Sequence, residues 1–181
     1  MADAARILPN EGMRFANAAV DIVPMQPATR LSVRGTVRGC REFAKSLGLS
    51  LPTKPGQISS ATGKTILWLG PDEWLVIDLD GSDKYLENLP DGEKGCAVTD
   101  VSHRSTAFSI TGNGAVSVLN AANPRDLSLS AFPINTGSRT IFGKAEVVLM
   151  RRGETDFYLE CWRSFTPYVF EMLRECARDI P

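Results

Sequence analysis

"RLSVRGTVRGCREFAKSLGLSLP" (Arg30–Pro52) and "TAFSITGNGAVSVLNAANPRDLSLSAFP" (Thr106–Pro133) carry the same pattern twice. Each reads as a short alternating strand, a glycine at a turn, an amphipathic helix, and a bulky apolar residue before proline. In the first copy Val37, Cys40, Ala44 and Leu47 recur at helical spacing, and Gly48 suits the left-handed position beyond a helix end. In the second copy Ala115, Val118, Leu119 and Ala122 form the apolar stripe, with Asn113 as the expected N-cap.

The likeness extends further along the chain. "TILWLGPDEWLVID" (Thr65–Asp78) is a hairpin pattern whose Pro71 suits the second position of a turn, and "KAEVVLMRRGETDFYLEC" (Lys144–Cys161) repeats it with a Gly-Glu-Thr-Asp turn. A helix is expected after each, in "SDKYLENL" from Ser82 and in "FTPYVFEMLRECARDI" from Phe165, the latter with Thr166 as cap and Pro167 in the first turn. Landmarks are displaced by similar intervals: Gly35 to Gly112, Pro52 to Pro133 and Trp74 to Phe157. Two β-α-β-β-α units, each with an apolar helical face to cover, predict one α+β domain over residues 30–181. It is built by duplication (about 30–90 and 100–181) around a shared, mainly antiparallel sheet. Residues 1–29, with Pro9, Pro24 and Pro27, are expected to form an extended arm. That arm is either a frayed terminus or a strap that uses Phe15, Val20, Ile22 and Val23 against a partner.

Composition narrows the function classes. The 181 residues are 43% apolar and 23% charged, which fits one globular domain without disorder or a membrane span. Twenty basic against twenty-one acidic residues leave a net charge of -1 and no field for nucleic acid. No secretory leader pattern precedes Pro9, and Cys40, Cys96, Cys161 and Cys176 are far apart, so reduced thiols in the cytoplasm are expected.

The tempting chemistry fails on inspection. "TDVSHRSTAFSITG" (Thr99–Gly112) holds His103, the chain's single histidine, beside Asp100, Ser102 and Arg104. One histidine with no cysteine at ligand spacing makes a nitrogen or sulfur metal site untenable. Strand alternation would send Asp100 and Ser102 to one face and His103 to the other, so the trio is not a triad, and no G-x-S-x-G elbow exists. Short-range backbone bonding at a strand corner is the expected role of Asp100 and Ser102. "ATGKT" lacks the first glycine of a phosphate loop and precedes a strand, while "SITGNGAVS" has Ser117 in place of the third glycine of a dinucleotide fingerprint. Trp68 and Trp74 read as hairpin or core packing; Trp162, at a strand end, is the best candidate for contact with a ligand or partner.

"LWLGPDEWLV", "DVSHRSTAFSITG", "SRTIFGKAEVVL" and "FYLECWRSFTPYVFEML" together resemble the gamma subunit of heterotetrameric sarcosine oxidase, from about Leu31 to Leu173. The strand-Gly-helix after "DVSH" is similar, more distantly, to the folate-binding domain of the glycine-cleavage T-protein, an aminomethyltransferase, whose superfamily is also a duplicated β-α-β-β-α fold. The resemblance implies a small non-catalytic subunit beside larger alpha and beta subunits and a small delta subunit. The assembly uses FAD, FMN, NAD and tetrahydrofolate to convert sarcosine to glycine, hydrogen peroxide and methylenetetrahydrofolate; none of these is expected on this chain. It also implies His103, Arg104, Arg139, Glu146, Trp162 and Arg163 as remnants of a folate pocket or as partner contacts. Where the relatives carry a pair of acids, "KAEVV" keeps only Glu146. The alternative is a stand-alone folate-binding one-carbon or tRNA-modifying protein of that superfamily.

Overall fold

The computed structural model describes residues 8–80, 86, 89–92 and 94–180. The elements run β1 (Phe15–Ala16), β2 (Asp21–Pro24), β3 (Thr29–Gly35), α1 (Val37–Ser46), β4 (Ile58–Ala61), β5 (Lys64–Gly70), β6 (Glu73–Asp78), β7 (Cys96–Asp100), β8 (Ser105–Thr111), α2 (Ala115–Asn120), β9 (Thr136–Phe142), β10 (Ala145–Arg151), β11 (Asp156–Trp162) and α3 (Thr166–Arg178). The helix expected from Ser82 lies outside the described residues, apart from Leu86, which packs against the core below α1.

The duplication takes the form of two antiparallel sheets, one per unit, in place of the single shared sheet expected. Their orders are β1-β2-β8-β11-β10-β9 and β4-β5-β6-β3-β7. If β8, β11, β10 and β9 are matched to β3, β6, β5 and β4, the two orders coincide, and so do the registers. Val33 faces Trp74 as Ile110 faces Phe157, and Ile66 faces Val76 as Leu149 faces Leu159.

The remaining strands are exchanged. β7 leads into the second unit but pairs with β3 of the first, whereas β2 leads into the first unit and pairs with β8 of the second. Residues 15–24 are therefore a working part of the larger sheet and not a free arm. Val20 and Ile22 are buried in this chain's own core, and Asn17 Nδ2 donates to the Ala177 carbonyl at 3.0 Å. The sequence concealed this because Pro24 and Pro27 interrupt the pattern, yet a proline is tolerated at a strand end.

Period-two alternation sorts the side chains into layers. Phe108, Ile110, Val147, Leu149, Phe157 and Leu159 point to α2 and α3, and Leu31, Val33, Ile66, Trp74 and Val76 point to α1. Leu67, Leu75, Ile77, Ala107, Val148, Met150 and Tyr158 point the other way and pack sheet on sheet. The result is four layers, with helices outside and two sheets face to face.

Local rules hold at several ends. Thr36 caps α1 by accepting from Gly39 N at 3.0 Å, and Gly48 adopts φ 74° beyond it. "ATGKT" is the tight turn between β4 and β5, with Thr62 and Gly63 both at positive φ, as a type I′ hairpin requires. Two expected caps are different. Gly114, not Asn113, precedes α2, and Thr166 is the first residue of α3, its buried hydroxyl bonded to Thr106 at 2.6 Å. Among the described residues no helix is long and apolar enough to cross a membrane.

Candidate functional site

The corner around His103 is settled by short polar side chains. β7 stops at Asp100, and residues 102–104 form a turn in place of continuing the strand. Asp100 Oδ1 accepts from Ser102 N at 2.8 Å and from its hydroxyl, while Ser102 Oγ accepts from Arg30 N at 2.9 Å. Both side chains are spent on the turn, as expected of them. His103 is exposed on its outside, and Arg104 is exposed beside it.

Beyond the corner the two sheets splay, leaving a cleft of about 230 Å³. Arg104, Arg139, Glu146 and Trp162 line it together, joined by Glu73 and Glu160. His103 does not reach it, and Arg163 lines a separate small crevice on the far side of Ser105. Four of the six residues singled out from the sequence thus share one site, and two do not.

The cleft is held by arginine–glutamate pairs. Arg139 grips Glu73 with both terminal nitrogens, and Arg34 Nη1 approaches the same carboxylate at 2.9 Å. Burial pushes the Glu73 carboxyl up, but these two guanidiniums outweigh it and hold the group below the ordinary carboxylate range. Arg139 Nε also lies 3.9 Å from Glu146.

At the floor, between the sheets, Glu160 Oε2 accepts from Arg30 Nε at 2.6 Å and from the Tyr158 hydroxyl. All three side chains are almost fully buried. Burial alone would lower Arg30, but its contacts with Tyr158 and Glu160 raise it above its ordinary value; burial and Glu160 push the Tyr158 phenol well above 10.0. Buried on both sides and answered by the Tyr158 hydroxyl, the Arg30–Glu160 pair is a structural one.

Arg30, Glu73, Tyr158 and Glu160 escaped the sequence reading. No local signal marks Arg30, which follows Ala28 and Thr29; Glu160 does break the apolar run of β11, but only a tertiary partner explains it.

Among the described residues no three His, Cys, Asp or Glu side chains could hold a metal ion. Cys161 is buried against Thr106 and Thr166, and its thiol is pushed up by burial.

The strand-to-helix turns do not fit a nucleotide phosphate. In each, a carbonyl stoppers the glycine: the Gly95 oxygen is 2.2 Å from where a Cβ on Gly35 would be, and the Ala19 oxygen 2.3 Å from one on Gly112. The backbone donors of Thr36 and Gly114 are spent on those same carbonyls.

The "Sarcosine oxidase, gamma subunit family" matches residues 40–179. The sarcosine oxidase subunit gamma of an Arthrobacter species is 35% identical over 157 residues, 84% of this chain and 77% of that protein. A chain of the heterotetrameric sarcosine oxidase from Corynebacterium sp. U-96, solved in complex with pyrrole 2-carboxylate, superposes with a TM-score of 0.82 at 26% identity. The match covers 96% of this chain and 95% of that one. Aminomethyltransferase T of the glycine cleavage system from Bartonella henselae shares the fold at 14% identity and a TM-score of 0.60, over 87% of this chain and 46% of the other. With two sheets, exchanged strands and sequence matched over most of its length, the chain belongs to the sarcosine oxidase gamma subunit family.

Proposed function

We propose that this chain is the gamma subunit of a heterotetrameric sarcosine oxidase and acts there as a scaffold, without bond-breaking chemistry of its own. The observation that carries the reading is end-to-end similarity to a chain within a heterotetrameric enzyme of that name. The site agrees with it, because the ionisable groups of the cleft are consumed by one another and leave no paired acid and base free to act. The larger alpha and beta subunits, with the small delta subunit, would supply the flavins, NAD, tetrahydrofolate and active site. In the cytoplasm this chain would lend them surface, and His103, Arg104 and Arg163 lie at an exposed or half-exposed corner suited to that contact.

The test is co-purification. Tagged and expressed with its genomic neighbours, the chain should elute with yellow, flavin-containing polypeptides, and expressed alone it should be colourless. Recovery without any flavoprotein sinks the reading. Calorimetric titration of the isolated chain with tetrahydrofolate should give no saturable heat; a saturable response would instead favour a stand-alone folate protein.

A further inference from the structure

We propose that Asn113 is a site of spontaneous deamidation, and that the turn of residues 17–20 between β1 and β2 is the gate that holds the reaction off. The reaction needs only water and leaves a permanent chemical mark on a chain whose turn has opened.

The sequence supplies the reactive pair. Asn113-Gly114 is the single Asn-Gly dipeptide in the chain. Glycine has no side chain to hinder ring closure by its own backbone nitrogen, so an asparagine amide is lost most readily in front of it. The fold leaves that amide exposed: Asn113 stands in the turn before α2, and among the described residues no hydrogen bond engages its side chain. Gly114, not Asn113, holds the cap position of α2, so the amide has no role there.

What the fold withholds is the nucleophile. Gly114 N donates to Ala19 O at 2.9 Å, and Gly114 has φ of -82° and ψ of -7°, the helical conformation. Ring closure requires Gly114 N to turn toward Asn113 Cγ and give up its proton, and both are opposed while that proton lies on Ala19 O. Asn17 fixes the turn in place. Its Oδ1 accepts from Ala19 N at 2.9 Å and Val20 N at 2.8 Å, and its Nδ2 donates to the carbonyls of Ala177 and Ile180. Glycine is also required at the reactive position, because a Cβ on Gly114 would come within 2.9 Å of Ala19 Cβ and 3.0 Å of Ile180 Cγ2. The packing that closes the gate therefore fixes the labile dipeptide as well.

The atoms balance without a further reactant. Gly114 N bonds to Asn113 Cγ, the Cγ–Nδ2 bond breaks, and the displaced nitrogen leaves as ammonia with the proton from Gly114. Water then opens the ring at either carbonyl, giving aspartate or isoaspartate. Isoaspartate lengthens the main chain by one methylene beside Gly112, where Ala19 O already lies 2.3 Å from the place of a Cβ. There is no slack for it, so the turn cannot reseat and a local opening becomes irreversible.

The test incubates the full chain at one fixed pH and follows the Asn113 peptide by mass spectrometry, which reads the conversion of amide to acid. In the native chain the rate should be more than about tenfold below that of the chain unfolded in urea, because reaction waits on a local opening. Asn17→Ala should raise it several-fold. Gly35→Ala, the counterpart of Gly112 in the first unit, should not, since it loosens the structure away from this turn. If Asn17→Ala does not fold, the native chain in urea well below its midpoint replaces it, and deamidation should rise there ahead of the global unfolding signal.

Equal rates in the native and unfolded chain overturn the proposal, as does an Asn17→Ala rate equal to the native one. Acceleration by Gly35→Ala equal to that by Asn17→Ala, or a rate that follows global unfolding alone, overturns it too. Either would mean that whole-chain unfolding, and not the turn, exposes Gly114.

Discussion

Arg30 and Glu160 come from different units and meet between the sheets, so a buried ion pair joins the two halves of the molecule there, as Arg139 and Glu73 join them at the cleft mouth. Removing one partner leaves a buried charge with nothing to answer it, which costs about 3–5 kcal/mol. Arg30→Met should lower the urea midpoint accordingly, whereas Arg30→Met with Glu160→Leu should recover most of the loss, since two apolar residues leave no orphan. A double variant no better than the single would show that the pair does more than neutralise itself. Glu73 makes a different test at the cleft mouth. Its carboxyl is held low in the folded state, so its stabilisation is fully present above the ordinary value of 4.5 and disappears as pH falls through the lower folded value. Glu73→Gln should therefore flatten the acid limb of a melting-temperature profile taken between about pH 2 and 5. Trp162 was visible in the sequence because it lies at a strand end, where an aromatic residue stands out, whereas Arg104, Arg139 and Glu146 were picked out by the family resemblance, Arg139 from the middle of β9. Arg30 and Glu160 were not, because each sits in an otherwise ordinary strand and only tertiary pairing explains it.

Strand, glycine, helix and hairpin could be read from the sequence because each follows from local periodicity and turn chemistry. The edge strands and the exchange could not, because β4 and β9 are short or mixed in polarity, and the pairing of β2 with β8 spans more than eighty residues. What locks the exchange is the pair of stoppered glycines. Gly35 and Gly112 adopt φ of 146° and 118°, and each faces a carbonyl, of Gly95 or Ala19, just ahead of the exchanged strand β7 or β2. An added methyl would collide with backbone, not with a mobile side chain, so Gly35→Ala and Gly112→Ala should each destabilise by more than about 1 kcal/mol. The same substitution at Gly153, whose φ is not left-handed and whose Cβ would meet only Asp156 at 3.3 Å or more, should cost less. Guanidinium or urea midpoints for the three variants decide the matter, and equal values would mean that the crossing strands yield easily.

The exchange changes what a half of this molecule is. Excision at the apparent repeat boundary, near residue 95, would strip β7 from β3 and β2 from β8, opening an edge in each sheet. It would also separate Arg30 from Glu160 and expose the apolar layer of Leu67, Leu75, Val148, Met150 and Tyr158. Neither fragment could bury that surface alone, so the duplicated units should not fold independently, despite each having its own sheet and helices. The intact chain should unfold in one transition. Two probes sample it unevenly, which makes the comparison informative. Trp68 and Trp74 report on the first unit, Trp74 from full burial with its indole N–H donating to the Pro52 carbonyl at 2.7 Å, whereas far-ultraviolet circular dichroism averages both units. Fluorescence and dichroism should share one urea midpoint, and isolated residues 8–95 and 96–180 should each lack a cooperative melt. Separate midpoints would mean that the crossing strands fasten the halves only loosely and that each sheet with its helices holds together by itself.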